Sequence, residues 1–405
     1  MLLALALVRG LLYAVLNPPF ASPDEQAHFQ YVAYLATNGA SGPIGEEGHQ
    51  PALYYALMVP AYWLTAGHPE AVQLLAIRIA SIPFLLGTVL FTWLAARKMA
   101  PDKPFVAIVA TAFVALQPEL AYFSASANND NAANFMAAVL TYLVVLLLRG
   151  KPGKWVIPAA AAAVGASLFT KSQILPIAAI SGSVLAGCAI AQMRASGRWI
   201  PILYMIVPVL LTAAALTGHA DTQMLAVATS AGSVLLDGKA WGIAQQAGLQ
   251  PFPYLFASFW ASFVGESVGP ADVWYLGPSA IVLLAAVGYS ARLVSAMVGN
   301  PLSRSGVMLC VALLCMLVGV WLVAYLRFLY NFQFPEYIWR FQVLQGRFLD
   351  VALVPLVLLV ADGWGLLVRQ QLRALSSALI LAAFVTLDAS SLAVLASHYT
   401  WPVSQ

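Results

Sequence analysis

Apolar stretches of membrane-spanning length, separated by short polar connections, make up most of the chain. They fall at about 73–94, 105–123, 132–148, 155–169, 174–191, 199–216, 273–293, 307–329, 348–368 and 374–396, each near the roughly 20 residues that cross a bilayer as a helix. A shorter run, 2–16, precedes them and carries Arg9 near its middle. It has neither the basic leader nor the small-residue cleavage site of a signal peptide, because Pro18, Pro19 and Phe20 follow it. It therefore reads as a first transmembrane helix, one whose start can lie upstream of Met1. The pattern predicts one all-α polytopic membrane domain over 1–405, of roughly eleven transmembrane helices, with no separate soluble domain.

The only long polar break in the first third, 17–57, reads NPPFASPDEQAHFQYVAYLATNGASGPIGEEGHQPALYYAL. Its punctuation is helical: Ser22 suits an N-cap, Pro23 the first helical position, Glu25 the last place of an S-x-x-E capping box, and Gly39 the stop. On that helix Asp24, His28, Tyr31 and Leu35 share one stripe, and Glu25, Phe29, Val32 and Ala36 the next. Asp24 and Glu25 admit two readings, as active-site carboxylates held against the membrane or as capping residues stabilised by the helix macrodipole. His49 follows a Gly-rich turn. The segment 51–66 is rich in Tyr and Trp but interrupted by Pro60, too short to span, and fits a helix lying in the interface. The first loop thus covers 17–72.

Composition fixes the class. Hydrophobic residues are 61% of the chain and charged ones 9%, against about a quarter charged in a soluble domain. The net charge of +3 comes without a basic run, so nucleic acid is set aside as a partner. Cys188, Cys310 and Cys315 lie in apolar segments and read as buried thiols. If the 17–72 loop is outside, the inner connections hold Arg97, Lys98, Lys103, Arg149, Lys151, Lys154, Arg194, Arg198, Arg292, Arg304, Arg369 and Arg373, the majority of the 19 basic residues. The outer side holds Arg78, Lys171, Lys239, Arg327, Arg340 and Arg347. The positive-inside rule then places the Asp24 loop on the periplasmic or extracellular face. Most acids gather there too, Glu46, Glu47, Glu119, Asp130, Glu336 and Asp350 among them.

The remaining outer connections add candidates. Asn128, Asn129 and Asp130 stand before a helix; the asparagines read as caps, whereas Asp130 meets the same surface as Asp24 and can share a metal ion or a proton-transfer role with it. Lys171, in a very short turn, can snorkel to headgroups or contact a phosphate. The long loop 218–272 contains the aromatic PFPYLFASFWASFVGES, which either covers a groove or anchors the loop. The last loop brings together Glu336, Arg340, Gln345, Arg347 and Asp350, with guanidinium groups suited to bidentate phosphate contact. No Walker motif, G-x-G-x-x-G, nucleophile elbow or H-E-x-x-H is present, so nothing supports a nucleotide cofactor.

PDEQAHFQYVAYLATNG after the first helix, HQPALYYALMVP beyond it and the arginine of LLAIRIAS together resemble the GT-C clan of polytopic glycosyltransferases, which includes the protein O-mannosyltransferases and the lipid A aminoarabinose transferases. NND, TKSQILP, SFWASF and QGRFLDVALVP resemble more closely a bacterial branch of predicted membrane proteins. The resemblance covers nearly the whole chain by segment order, and the absence of the larger members' soluble C-terminal domain leaves a protein acceptor in doubt. It implies a GT-C-like fold in a bacterial plasma membrane. It also implies an inverting transfer of a sugar from a polyprenyl-phosphate donor to a hydroxyl of a glycan or lipid-linked acceptor. Asp24 matches the first-loop acid implied to be the base, with Glu25 beside it. His28, His49, Arg78, Lys171, Arg340 and Arg347 are expected at the substrate or phosphate, and a divalent cation such as Mg or Mn is expected, if anywhere, on Asp24 and Asp130. The competing class is a transporter or flippase of a lipid-linked sugar, for which broken helices and midplane charges are the signature; Arg9 and Asp388 are the exceptions at membrane depth. A non-catalytic scaffold of a cell-envelope assembly is the third.

Overall fold

The structure is a computed structural model that describes residues 1–39, 45–150, 153, 155–197, 239–248, 251–263, 268–298, 303–332 and 344–398. Among these, fifteen α-helices follow one another: α1 Leu2–Leu16, α2 Glu25–Asn38, α3 Leu53–Leu64, α4 Glu70–Met99, α5 Pro104–Leu116, α6 Pro118–Ser124, α7 Asp130–Arg149, α8 Val156–Ser167, α9 Leu175–Ser196, α10 Lys239–Ala247, α11 Pro251–Trp260, α12 Val273–Val298, α13 Arg304–Phe332, α14 Leu353–Leu367 and α15 Arg373–His398. Short 3-10 turns at Glu46–His49, Ser172–Ile174 and Gly346–Ala352 carry residues of the site. The all-α membrane architecture expected from the sequence is present.

The described residues do not confirm the expected count of roughly eleven spans. Seven described helices are long and apolar enough to cross a membrane, or eight if the bent pair α5–α6 is one span. The helix α1, at 15 residues, and α3 and α8, at 12 each, are apolar but short, since 15 residues of helix rise only about 22 Å. The expected run 199–216 lies outside the described residues. The run expected at 105–123 is broken by 55°. Pro118 forces the preceding Gln117 out of helical geometry, to φ −69° and ψ 118°, and the Gln117 side chain then caps α6 by accepting from the Leu120 amide.

Arg9 and Asp388 pair with each other. Arg9 Nε donates to Asp388 Oδ2 at 2.6 Å and the Tyr13 hydroxyl to Oδ1 at 3.0 Å, while the guanidinium also reaches the carbonyls of Ala115 and Gln117 at the break. A charge at membrane depth is tolerated when paired and hydrogen-bonded in this way, and here it ties the first helix to the last.

The long helices pack as a bundle, with α4 against α1, α5 and α7, and α14 against α5, α12 and α13. Where α12 crosses α14, a Cβ on Gly288 would stand 2.3 Å from the Gly363 carbonyl oxygen; small residues let the two backbones touch. Because the spans alternate in direction, Arg97, Lys98, Lys103, Arg149, Arg194 and Arg373 sit at helix ends or turns on one side of the bundle. Asp24, Asp130, Lys171, Arg327 and Arg347 sit at those on the other.

Candidate active site

The helix α2 begins at Glu25, and the expected capping box is not formed. Ser22 Oγ accepts from Asn17 Nδ2 at 2.7 Å, and the Glu25 carboxylate is turned toward Arg78, which donates Nε to Oε1 at 2.8 Å and an NH2 hydrogen to Oε2 at 2.6 Å. The Ala127 amide also donates to Oε1, at 3.1 Å. The other Arg78 hydrogens go to the carbonyls of Ala14, Asn17 and Pro18. A guanidinium has five N–H donors, and all five are used. Glu25 and Arg78, expected at the chemistry and at the phosphate, are therefore a buried clamp: Glu25 is 0% exposed, and Arg78 has no donor left for a ligand.

Asp24 is different. It stands before α2 in the left-handed region, φ 61° and ψ 1°, with no capping hydrogen bond. Such a conformation costs an L-residue about 1–2 kcal/mol, least for Asp and Asn, and persists where the surroundings impose it. The carboxylate instead accepts from Arg347 at 2.9 Å, with 53% of the Asp24 side chain exposed against 5% for Arg347. Burial alone would raise the Asp24 carboxyl, but the charge and hydrogen bond of Arg347, helped by Lys171, hold it below the usual carboxylate value.

A second pair lies alongside, Lys171 Nζ to Asp130 Oδ1 at 2.7 Å, both buried. The loop before α7 is organised by Asn128, whose Oδ1 accepts from the Asp130 amide at 2.9 Å, and by Asn129, whose Nδ2 donates to Gln50 Oε1 at 3.1 Å. Burial lowers the Lys171 ammonium while Asp130 opposes the shift. Buried with its acid, Lys171 does not snorkel to headgroups.

Three cations surround one ring. The Phe348 centroid is 5.2 Å from the Arg347 guanidinium, 5.3 Å from that of Arg327 and 5.9 Å from Lys171 Nζ. The 3-10 turn Gly346–Ala352 that carries Arg347 rests on α11: Gly346 N donates to Ser258 Oγ at 2.8 Å, and a Cβ on Gly346 would fall 2.1 Å from Phe259 N. The aromatic SFWASF segment thus supports the turn that aims Arg347.

No family model matches the chain, nor does any curated protein match it in sequence. In fold, 98% of it superposes on 75% of ArnT from Cupriavidus metallidurans bound to undecaprenyl phosphate, with TM-score 0.52 at 13% identity. The same 98% superposes on 53% of the Archaeoglobus fulgidus oligosaccharyltransferase in complex with Zn and sulfate, with TM-score 0.51 at 13% identity. It superposes on 56% of the archaeal oligosaccharyltransferase AglB from that organism in complex with an inhibitory peptide and a dolichol-phosphate, with TM-score 0.50 at 11% identity. The chain has the GT-C fold. It spans about half the length of the archaeal structures.

Within this fold the expected residues other than Glu25 and Arg78 separate into three groups. Asp24, Asp130, Lys171 and Arg347 come together. His28 joins them as a neutral group: its Nδ1 lies 2.8 Å from the Tyr55 hydroxyl, and burial, with Lys171 adding to it, pushes the ring down to about 3. His49 serves its own turn, 2.8 Å from the Glu46 carbonyl, and Arg340 lies outside the described residues. Two functional candidates were missed. Glu47, among the outer acids but not singled out, is pushed up by burial while Lys171 draws it down; its 3-10 turn brings it close to Asp24. Arg327, near the end of a long apolar helix, stood only among the outer basic residues, and the fold places it against Phe348.

No site for the expected shared metal is seen at these acids, although Asp130 Oδ2 is buried without a hydrogen-bond partner among the described residues. Asp24 and Asp130 each already accept from a cationic side chain, and among the described residues no group of three or more His, Cys, Asp or Glu is placed to hold a metal ion. The side-chain cations at the site are Lys171, Arg327 and Arg347.

Proposed function

We propose that the protein is a membrane glycosyltransferase that moves a sugar from a polyprenyl-phosphate donor to an acceptor hydroxyl, on the outer face of a bacterial plasma membrane. The observation that carries this reading is the convergence of Lys171, Arg327 and Arg347 on Phe348. Two unit charges roughly 10 Å apart repel by about 1.7 kcal/mol at an effective dielectric near 20. Asp24 and Asp130 answer two of the three cations; among the described residues Arg327 makes no ion pair. A phosphate placed between them balances the group. The ArnT and AglB structures, each bound to a polyprenyl or dolichol phosphate, make such a lipid the natural donor.

The chemistry follows from the partially exposed Asp24. Its carboxylate takes the proton of the acceptor hydroxyl as that oxygen bonds to the anomeric carbon. The bond from carbon to the phosphate oxygen breaks on the opposite face, leaving its electron pair on the phosphate, where the cations stabilise the charge. Attack opposite the leaving group inverts the anomeric centre. Arg347 couples the two events: while it holds Asp24 the carboxylate is a weak base, and a donor phosphate that draws the guanidinium away lets its proton affinity rise. Donor binding thereby prepares the base. Of the transporter signature, the broken helix pair α5–α6 is present, but the charges at membrane depth, Arg9 and Asp388, satisfy each other rather than waiting for a cargo.

The test is mass spectrometry of lipids co-purifying with the full chain, followed by incubation of the purified protein with a panel of polyprenyl-phosphate sugars. Release of free polyprenyl phosphate that requires Asp24 supports the reading. Tight binding of the lipid with no release on addition of hydroxyl acceptors, together with sugar-lipid translocation in vesicles, would replace it with the transporter.

A further inference from the structure

The end of the bundle remote from Asp24 contains a cavity of about 280 Å³. Its inner wall is apolar, formed by Leu309, Leu313, Leu358 and Leu359. Its mouth is charged, with Lys103, Arg149, Asp102 and Asp362. The space is bounded by the ends of α4 and α7, the start of α5 and the bodies of α12, α13 and α14, so it opens where the basic helix ends meet the interface.

The balance of charge at that mouth favours an anion. Lys103 Nζ stands 3.6 Å from Asp362 Oδ1, beyond hydrogen-bonding distance, with the lysine side chain 36% exposed. Arg149 makes no ion pair among the described residues. Lys98 adds a third cation: a Cβ on Gly150 would stand 3.3 Å from its Nζ, which places the ammonium against the end of α7, next to Arg149. At the rim itself Lys103 and Arg149 meet Asp102 and Asp362, and Lys98, beside Gly150 just outside the lining, tips the surroundings of the leucine-lined hollow to a net positive charge. An inorganic anion would satisfy the rim and leave the leucine-lined interior to water, and a neutral lipid would fill the interior and leave the rim charged. Only an amphiphile with an anionic head matches both parts, and basic pockets between membrane helices are where such headgroups are held.

We propose that this cavity is a binding site for an anionic glycerophospholipid, its phosphate between Lys103 and Arg149 and the start of an acyl chain against Leu309, Leu313 and Leu358. The site is separate from the transfer chemistry and stands whether or not that reading holds. Its occupant bridges α5, α7, α13 and α14 and so braces the helices that also carry Asp130 and Arg327 at their other ends.

The test uses the full chain in detergent, with its thermal midpoint followed while phosphatidylglycerol, phosphatidylcholine or soluble glycerol phosphate is added. Phosphatidylglycerol is expected to raise the midpoint and the other two are not. Each charge removed by Arg149→Gln or Lys103→Gln should weaken the phosphatidylglycerol effect about fivefold in concentration, and Leu313→Trp, which fills the hollow without touching the rim, should abolish it. Arg149 is exposed, so Arg149→Gln retains its fold even where Lys103→Gln or Leu313→Trp does not. Equal responses to phosphatidylglycerol and phosphatidylcholine, an undiminished response in Arg149→Gln, or full replacement by glycerol phosphate would each overturn the proposal.

Discussion

Asp24 and Glu25 are neighbours in sequence, and their replacement by the uncharged amides is expected to have opposite consequences. Glu25→Gln leaves Arg78 buried without its counter-charge. Removing one partner of a buried ion pair costs about 3–5 kcal/mol, and here the 0% exposed carboxylate leaves no solvent to offset the loss. Arg78 also ties the carbonyls of Ala14, Asn17 and Pro18, so the junction of α1 with the first loop should loosen. Asp24→Asn removes a charge from a side chain that is 53% exposed, a pair for which solvent screening limits the contribution to roughly 1 kcal/mol. Asn also tolerates the left-handed backbone there, which Ala would not. The loss in rate should instead be about 10²–10⁴-fold, the usual worth of a positioned base. Thermal unfolding followed by tryptophan fluorescence and polyprenyl phosphate release, measured on the same preparations, separate the two variants. An Asp24→Asn protein with unchanged transfer, or a Glu25→Gln protein of wild-type stability but no activity, would refute the division of roles.

Other expectations follow from the same geometry. Arg327→Gln and Arg347→Gln should each weaken donor binding by roughly tenfold or more, one charge-assisted hydrogen bond being worth about 1.5–3 kcal/mol, as read by titration with polyprenyl phosphate. His28 stays neutral in the folded protein down to about pH 3, whereas in the unfolded chain it takes a proton near pH 6.5. Its contribution to stability is therefore complete above pH 6.5 and falls as the pH drops toward 3, by about 1.4 kcal/mol per unit. Chemical unfolding of His28→Gln between pH 7 and 5 should lack that slope. Arg9→Met should destabilise the bundle strongly, and Arg9→Met combined with Asp388→Leu should recover most of the loss, since an apolar pair avoids the desolvation of two charges. Chelators should leave transfer unchanged, because Asp24 and Asp130 are held by side-chain cations; loss of activity restored by added Mg or Mn would show that those pairs open to admit a metal.

The amino-acid sequence by itself determined the membrane class, the helical architecture, and which helix ends carry the basic residues, because hydropathy and charge act residue by residue and need no partner. It also singled out Asp24, Asp130, Lys171 and Arg347, polar residues at loop positions where an apolar chain has little other use for them. Tertiary structure decided what each charge does. Glu25 and Arg78 looked as functional as their neighbours until packing placed them against each other, and Arg9 found its partner 379 residues away. Arg327 was not distinguished from the other outer basic residues, because its place depends on a turn almost twenty residues further on, which brings Phe348 and Arg347 beside it. A carboxylate's or guanidinium's chemistry depends on the charges and water within a few ångströms, and for residues far apart along the chain only the fold sets those distances.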